Sequence, residues 1–322
     1  MIKRKGLAVV AIAMTFMGVP ALKADTLAEA LTAAYNNSGL LDQNRALLRA
    51  ADEGVAQSVA ATLPVINWSI SASRTRVEVP VTTTTNSALA RITGDLTLYD
   101  GGTNQLGIDA QKEVVLGTRQ ALRGVEQDVL LRGVQAYMNV RSAGEFVQLR
   151  QNNVRLITQE FRAAQDRFDV GEVTRTDVAL AEARLAAARS LLAAAQGDLA
   201  RSVEEYKVAV GQSPAGPRAV NPAPVSRTLN DAKAFAVRNH PAVLEAQHSV
   251  SAAELNIIRA EAATRPRVTL NGFVSTDQDS NTSAQIGVNV GGPIYRGGLI
   301  LSQFRQVQAN RDVARSGLHL TT

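Results

Sequence analysis

Two hydrophobic rhythms divide this chain. Before residue 169, apolar or small residues recur at alternating steps of three and four: Val140, Ala143, Val147, Val154, Ile157, Phe161, Ala164 and Phe168, with Arg150 the one interruption. The rhythm resumes at Val178, Ala181, Leu185, Ala188, Leu192, Ala195 and Leu199. Between them lies Asp169-Val170-Gly171-Glu172-Val173, too short for a folded loop. The spacing predicts two long helices joined by a tight turn and packed antiparallel along heptad seams. Gly171 is placed to take a left-handed conformation and end the first helix. Thr174, with Asp177 three residues on, predicts a capping box for the second.

The other rhythm has period two. From Val65 to Arg74, Ile66, Trp68, Ile70 and Ala72 alternate with Asn67, Ser69, Ser71 and Ser73. A second run sets Ile92, Gly94, Leu96 and Leu98 against Thr93, Asp95, Thr97 and Tyr99, after a Thr-rich loop at Thr82 to Thr85. Strands of about ten residues, apolar on one face and polar on the other, are the pattern of a transmembrane barrel. Trp68 and Tyr99 are available as interface aromatics. A half-buried hairpin of a soluble sheet has the same alternation, and strand by strand it is the simpler reading. The long helices and the export signal described below favour the barrel.

The remaining elements follow in order. Asp25 to Thr62 reads as helix, with a capping box at Thr26-Leu27-Ala28-Glu29, a break at Asn36 to Gly39, and a stop at Pro64. Tyr99-Asp100-Gly101-Gly102 turns into the longest helix, Asn104 to Phe168, about 100 Å at the standard rise. Gly117, Gly124, Gly133 and Gly144 within it mark either close approach of a neighbouring helix or local kinks. The return helix runs from Thr176 to Val210 and ends in the Gly- and Pro-rich linker that begins at Gly211.

The pattern then repeats. Thr228-Leu229 matches Thr26-Leu27, and Ala262 to Pro266 matches Ala60 to Pro64 at an offset of 202. Tyr295-Arg296-Gly297-Gly298 matches Tyr99-Asp100-Gly101-Gly102 at an offset of 196. Two more alternating runs lie between, through Val268, Leu270, Gly272 and Val274 and through Ala284, Ile286, Val288 and Val290. This internal duplication is the strongest statement about fold in the sequence. The second copy ends at Thr322, which maps to about residue 126 of the first. No counterpart of residues 127–212 follows, so the sequence is expected to be a truncated product or a partial record.

Composition adds three constraints. The formal charge of +5 is concentrated in Lys3, Arg4, Lys5 and Lys23; the rest is close to neutral, with no basic stripe for nucleic acid. Lys3 to Lys5 followed by the apolar run Gly6 to Val19 reads as a secretory signal over residues 1–24, cleaved after Ala24 or after Ala21. There is no cysteine, which excludes disulfides, thiolate metal sites and a cysteine nucleophile. His240 and His248 are eight apart, unsuited to shared ligation on one helix turn, and Gly101-Gly102 lacks the rest of a phosphate loop. Nothing nominates a catalytic residue, a cofactor or a metal, and an enzyme is not expected.

The stretch RFDVGEVTRTDVALAEARL, residues 167–185, resembles the hairpin signature of the TolC family, the outer-membrane exit ducts of Gram-negative bacteria. Arg167-Phe168, Val170-Gly171, Thr176-Asp177-Val178, Ala181, Ala183 and Leu185 carry it. Helix, two strands and helical hairpin, performed twice, is that family's layout, and the second copy here stops before its hairpin. The resemblance implies a mixed α and transmembrane β fold: long antiparallel helical hairpins forming an α-barrel, plus four strands per protomer. Four strands cannot close a barrel in lipid, so an oligomer is expected, and the resemblance implies a homotrimer with twelve strands around one pore. Residues 25–225 would form the first structural repeat and 226–322 the second, truncated before its hairpin. The implied function is passive export of small molecules or secreted proteins through a duct of a tripartite efflux or type I secretion system. The partners would be a periplasmic adaptor (membrane fusion) protein, an inner-membrane ABC, RND or MFS pump, and outer-membrane lipid. The other reading kept open is an exported coiled-coil structural or adhesive protein without a pore. Val170, Gly171, Thr176 and Asp177 would form the periplasmic tip; in the family, Thr176 and Asp177 are answered by Tyr and Arg of the second hairpin. By the period-two pattern, Ile66, Ile70, Leu96 and Leu98 would face lipid, and Asn67, Ser69, Thr93 and Thr97 the lumen.

Overall fold

The computed structural model describes residues 26–78, 82–225 and 228–322. The expected signal segment, 1–24, lies outside them. The order is α1 (Leu27–Asn36), α2 (Gly39–Ala60), β1 (Val65–Val77), β2 (Thr83–Tyr99), α3 (Thr103–Asp169), α4 (Arg175–Val210), α5 (Leu229–Asn239), α6 (Pro241–Ala262), β3 (Arg267–Asp277), β4 (Thr282–Gly291) and α7 (Leu299–Thr321). The pattern of helix, helix, strand, strand, helix therefore occurs twice. α2 and α6 are both 22 residues long, and their bounds differ by the same offset of 202 found in the sequence.

The chain forms two compact units, and they do not follow the sequential repeat. One holds α1 and Leu130–Asn221; the other holds Ser38–Val129 and Pro222–Thr322.

In the first unit, Ala30 and Ala34 of α1 pack with Ala136, Tyr137 and Val140 of α3 and with Tyr206 and Val210 of α4. Tyr137, Tyr206 and Val210 are fully buried. A buried tyrosine needs a partner for its hydroxyl. Tyr137 donates to the Arg218 carbonyl at 3.1 Å and accepts from the Arg218 N–H at 2.7 Å, which ties the linker after α4 onto the helices. Asn37, at the end of α1, donates from Nδ2 to the Val210 carbonyl at 3.1 Å, closing the C-terminus of α4.

Beyond this core α3 and α4 run on as a hairpin. Every expected seam position from Val140 to Ala164 and from Val178 to Leu199 is buried or half-buried, with Val147, Leu185 and Ala188 most enclosed. Even Arg150 is half-buried in the seam. Phe168 departs from the expectation and is exposed, because α3 ends one residue later, at the turn.

The four glycines singled out within α3 differ in their surroundings. A Cβ at Gly133 would lie 3.0 Å from Leu31 Cδ2 and 3.4 Å from Ala34 Cβ, so this position lets α1 approach closely. Gly117 and Gly124 are in ordinary contact with His248 and Pro241. At Gly144 a Cβ would meet nothing within 4 Å, and the close-approach reading does not apply there.

In the second unit the strands form one antiparallel sheet in the order β1-β2-β3-β4. The expected Thr82 to Thr85 loop is corrected. Thr83, Thr84 and Thr85 belong to β2 and pair with Val77, Arg76 and Thr75. Threonine is β-branched and fits a pleated strand, so the ladder runs on through them. β1 and β2 are consequently 13 and 17 residues long, against 11 and 10 for β3 and β4.

Replacing Gly133 with valine should lower the thermal midpoint of the first unit, since Leu31 and Ala34 must move. Gly144→Ala should raise that midpoint, through a gain of about 1 kcal/mol of helix propensity at most. Circular dichroism melts of the two variants check the contrast.

The capping box at α4 generates a pH prediction. Asp177 is held below its usual value of 3.8 by its hydrogen bonds from the Thr174 hydroxyl first and the Thr174 N–H second. A carboxylate whose folded pKa is depressed contributes stability above its unfolded pKa and loses it as pH falls through the folded value. The start of α4 should therefore weaken below pH 3.8 and not above it. Melts between pH 5 and pH 2 should lose that part of their pH dependence in Asp177→Asn.

Candidate functional site

Two surfaces carry the residues singled out by sequence: the sheet in one unit and the helical turn in the other.

The register sorts the strand residues into two rows. Ile66 pairs with Gly94, Trp68 with Ile92, Ile92 with Val274, and Gly272 with Ile286. Leu96 pairs with Leu270, and Leu270 with Val288. Ile66, Ile70 and Leu96 thus share one apolar face that runs across all four strands. Asn67 pairs with Thr93, and Thr97 with Thr269, on the opposite polar face with Ser69.

Leu98 is the residue that breaks the register. Thr97 pairs with Thr269 and Tyr99 with Val268, so Leu98 is the extra residue of a bulge. The slip brings Tyr99 opposite Val268 of the apolar row, whereas the alternation alone puts Tyr99 with the polar row.

The apolar row is bare. Ile66 is 75% exposed, Ile70 72% and Ile286 77%. A half-buried hairpin of a soluble sheet would cover this face with its own chain, and no described element does. The two outer strands, β1 and β4, each have one edge without a partner.

Sequence reasoning missed the chemistry of the polar face. The Arg91 guanidinium lies 4.2 Å from the centre of the Phe273 ring. Asn271 Nδ2 donates to Asp95 Oδ1 at 2.9 Å. Ser275 is buried. The available signal was a single arginine in the polar row of β2 and a single phenylalanine in the polar row of β3. A further pair, His248 Nδ1 and Glu113 Oε2 at 2.8 Å, joins α6 to α3 and had no local signature. His240 accepts from the Ala242 N–H and caps α6.

At the helical turn, Gly171 has φ 83°. Its N–H donates to the Phe168 carbonyl at 2.9 Å, and the Glu172 N–H donates to the Arg167 carbonyl at 2.9 Å. These two bonds are the Schellman termination of α3. Val170 at the apex is 72% exposed. Thr174 and Asp177 form the reciprocal cap of α4, and Thr176 lies exposed in its first turn. The Asp177 carboxylate is therefore engaged locally, by Thr174. The turn is a rigid, solvent-facing knuckle rather than a loose loop.

Among the described residues no group of three or more His, Asp or Glu side chains is placed to hold a metal ion. No described helix is long and apolar enough to cross a membrane, which leaves the strands as the apolar surface to be explained.

Comparison with known proteins resolves the family. Residues 30–212 match the family model described as Outer membrane efflux protein. The outer membrane efflux protein BepC of Brucella suis biovar 1 (strain 1330) is 34% identical over 319 residues, 96% of this chain and 69% of that protein. The outer membrane protein TolC of Escherichia coli (strain K12) is 26% identical over 211 residues, 58% of this chain and 42% of its own length. Among solved structures, CusC superposes with a TM-score of 0.76 at 21% identity, over 92% of this chain and 70% of the CusC chain. The outer membrane protein VceC of Vibrio cholerae gives 0.77 at 17% identity, over 92% of this chain and 75% of its own. These likenesses carry the fold, long helices with a four-stranded antiparallel sheet, and the sequence matches carry the relationship. The chain belongs to the outer membrane efflux protein family, the TolC family of outer-membrane channel proteins.

Proposed function

We propose that this chain is a subunit of an outer-membrane exit duct that passes small molecules or secreted proteins from the periplasm to the outside. One observation carries the reading: a four-stranded sheet with an uncovered apolar face and two unpaired edges. Unpaired backbone edges are not tolerated in the hydrocarbon of a bilayer. In an antiparallel sheet ordered β1 to β4, β4 of one copy and β1 of the next have the direction needed to pair. Three copies then close a twelve-stranded barrel, with the Ile66 row toward lipid and the Asn67 row lining the lumen.

Relatives supply the setting. BepC is named an efflux protein, AprF of Pseudomonas aeruginosa an alkaline protease secretion protein, and CusC a cation efflux system protein. For this chain the same chemistry calls for an inner-membrane pump and a periplasmic adaptor, with the α3–α4 turn as the adaptor contact. Residues 1–24 act as the export signal, and 25–225 and 226–322 are the two structural repeats. Extraction from outer membranes followed by planar-bilayer recording tests the proposal. A trimer that conducts supports it; a protein confined to the soluble periplasm without conductance overturns it.

The barrel reading makes a depth-resolved prediction. Ile92 lies near the middle of the four-stranded region, whereas Leu96 lies close to the helix-bearing end of β2. Ile92→Arg should impair assembly by about 2–4 kcal/mol, and Leu96→Arg by about 0–1 kcal/mol. Thr97→Arg, in the polar row, should assemble and change the conductance. Heat-modifiability on gels and single-channel recording separate the three outcomes.

The tip reading is checked by Val170→Cys. In cells it should cross-link to a periplasmic adaptor, and labelling from the extracellular side should fail.

A further inference from the structure

We propose that Arg91 is an oxyanion station on the lumen side of the barrel, where carboxylate- or phosphate-bearing solutes dwell in passage. The proposal rests on the barrel reading above.

Arg91 stands in the polar row of β2, directly across from Ser69 on one side and Ser275 on the other. It has no carboxylate partner among the described residues, and its Nε is buried without a hydrogen bond. Phe273 explains how it is held. That ring is the large apolar side chain in a row otherwise made of Arg267, Thr269, Asn271, Ser275 and Asp277, and it pairs with Thr93, diagonal to Arg91. A guanidinium stacked on an aromatic face keeps its charge and loses mobility. Its terminal N–H groups stay free to form the planar fork that matches two oxygens of a carboxylate or phosphate.

Two carboxylates share this face, and among the described residues neither forms an ion pair with Arg91: Asp277 of β3, diagonal to it two residues beyond Ser275, accepts instead from the Asn281 N–H at 2.8 Å and from Asn281 Nδ2 at 2.9 Å. Asp95 is four residues along the same strand, about 13 Å away at the strand rise. That exceeds the screening length of about 8–10 Å at physiological salt. Asp95 is also engaged by Asn271, at 2.9 Å. Among the described residues Arg91 is thus the cation at mid-depth of the polar face that no carboxylate pairs with, and three copies around one lumen would set three at the same level.

The test is electrophysiological, on the reconstituted full chain and its variants. A potassium chloride gradient reads the chloride-to-potassium permeability ratio. Inorganic tripolyphosphate, added on the side of the strand hairpins, reads oxyanion binding as block. Arg91→Gln should lower the permeability ratio about threefold, one kT of local potential. It should weaken the tripolyphosphate block about tenfold, the loss of one charge-assisted contact. Arg91→Lys keeps the charge but not the fork, so it should retain the ratio and lose most of the block. A conducting Arg91→Gln channel with unchanged ratio and block overturns the proposal. So does a lysine variant that blocks as well as arginine, because a field without a bidentate station would then suffice. If the glutamine variant does not insert, the comparison of lysine with arginine decides alone. A wild-type chain that never conducts defeats the duct reading itself, and the station with it.

Discussion

The unpaired edges of β1 and β4 are the constraint on which the rest of the sheet depends. Each edge leaves a row of backbone N–H and C=O groups without a partner from its own chain. In water such a row invites another strand. In lipid each unmet group costs several kcal/mol, and only closure removes the cost. The apolar face has the same consequence from the side-chain direction. Ile66, Ile70 and Ile286 are more than 70% exposed, and a protein in water does not keep so continuous an apolar row uncovered. The proposed barrel meets both demands, with hydrocarbon outside and other copies of the same strands at either edge.

The duplication has one variable joint. At the offset of 202, the break between α1 and α2 recurs between α5 and α6, with different chemistry. In the first copy Ser38 accepts from the Leu41 N–H, and Asn37 reaches across to the end of α4. In the second, His240 both ends α5 and caps α6, and Pro241 occupies the first helical position. Proline there sacrifices no intrahelical bond. The fold needs a break at this point and is indifferent to the residues that make it. The surroundings also differ. Ala30 and Ala34 of α1 are buried, while Leu229 and Phe235 of α5 are 70% and 66% exposed.

What was legible in the sequence depended on short-range physics. The caps at Thr26 and Thr174, the left-handed Gly171 and the heptad seam all involve residues within a few positions of each other. Each is found where the pattern puts it, except that the seam stops short of Phe168. The two strand rows were legible for the same reason, since alternation is local. Three features were not. The extension of β2 through Thr83 to Thr85 depends on what β1 offers across the hairpin. The bulge at Leu98 depends on where β3 places Val268. The Arg91–Phe273 and His248–Glu113 contacts join residues more than 130 positions apart, and no window along the chain contains both partners. The candidate site divides the same way: its rows were readable, the Arg91–Phe273 contact was not.

The hairpin raises a last point about what a single copy can satisfy. The α3–α4 seam is built from small residues such as Ala143, Ala164, Ala181, Ala188 and Ala195, which bring the helices close but bury little area each. A second apolar stripe flanks the seam. Phe146, Leu149 and Leu156 on α3 and Leu180 and Leu191 on α4 are all about half exposed, at 56%, 58%, 54%, 53% and 47%. An isolated two-helix hairpin needs one stripe per helix, because each helix has one neighbour. A helix within a closed wall has a neighbour on either side and needs two. The uncovered stripe is thus the helical counterpart of the open strand edges. Among the described residues both the sheet and the hairpin leave apolar surface uncovered, the pattern that the closure proposed above for β1 and β4 calls for in the sheet and that a further helix at its side calls for in the hairpin.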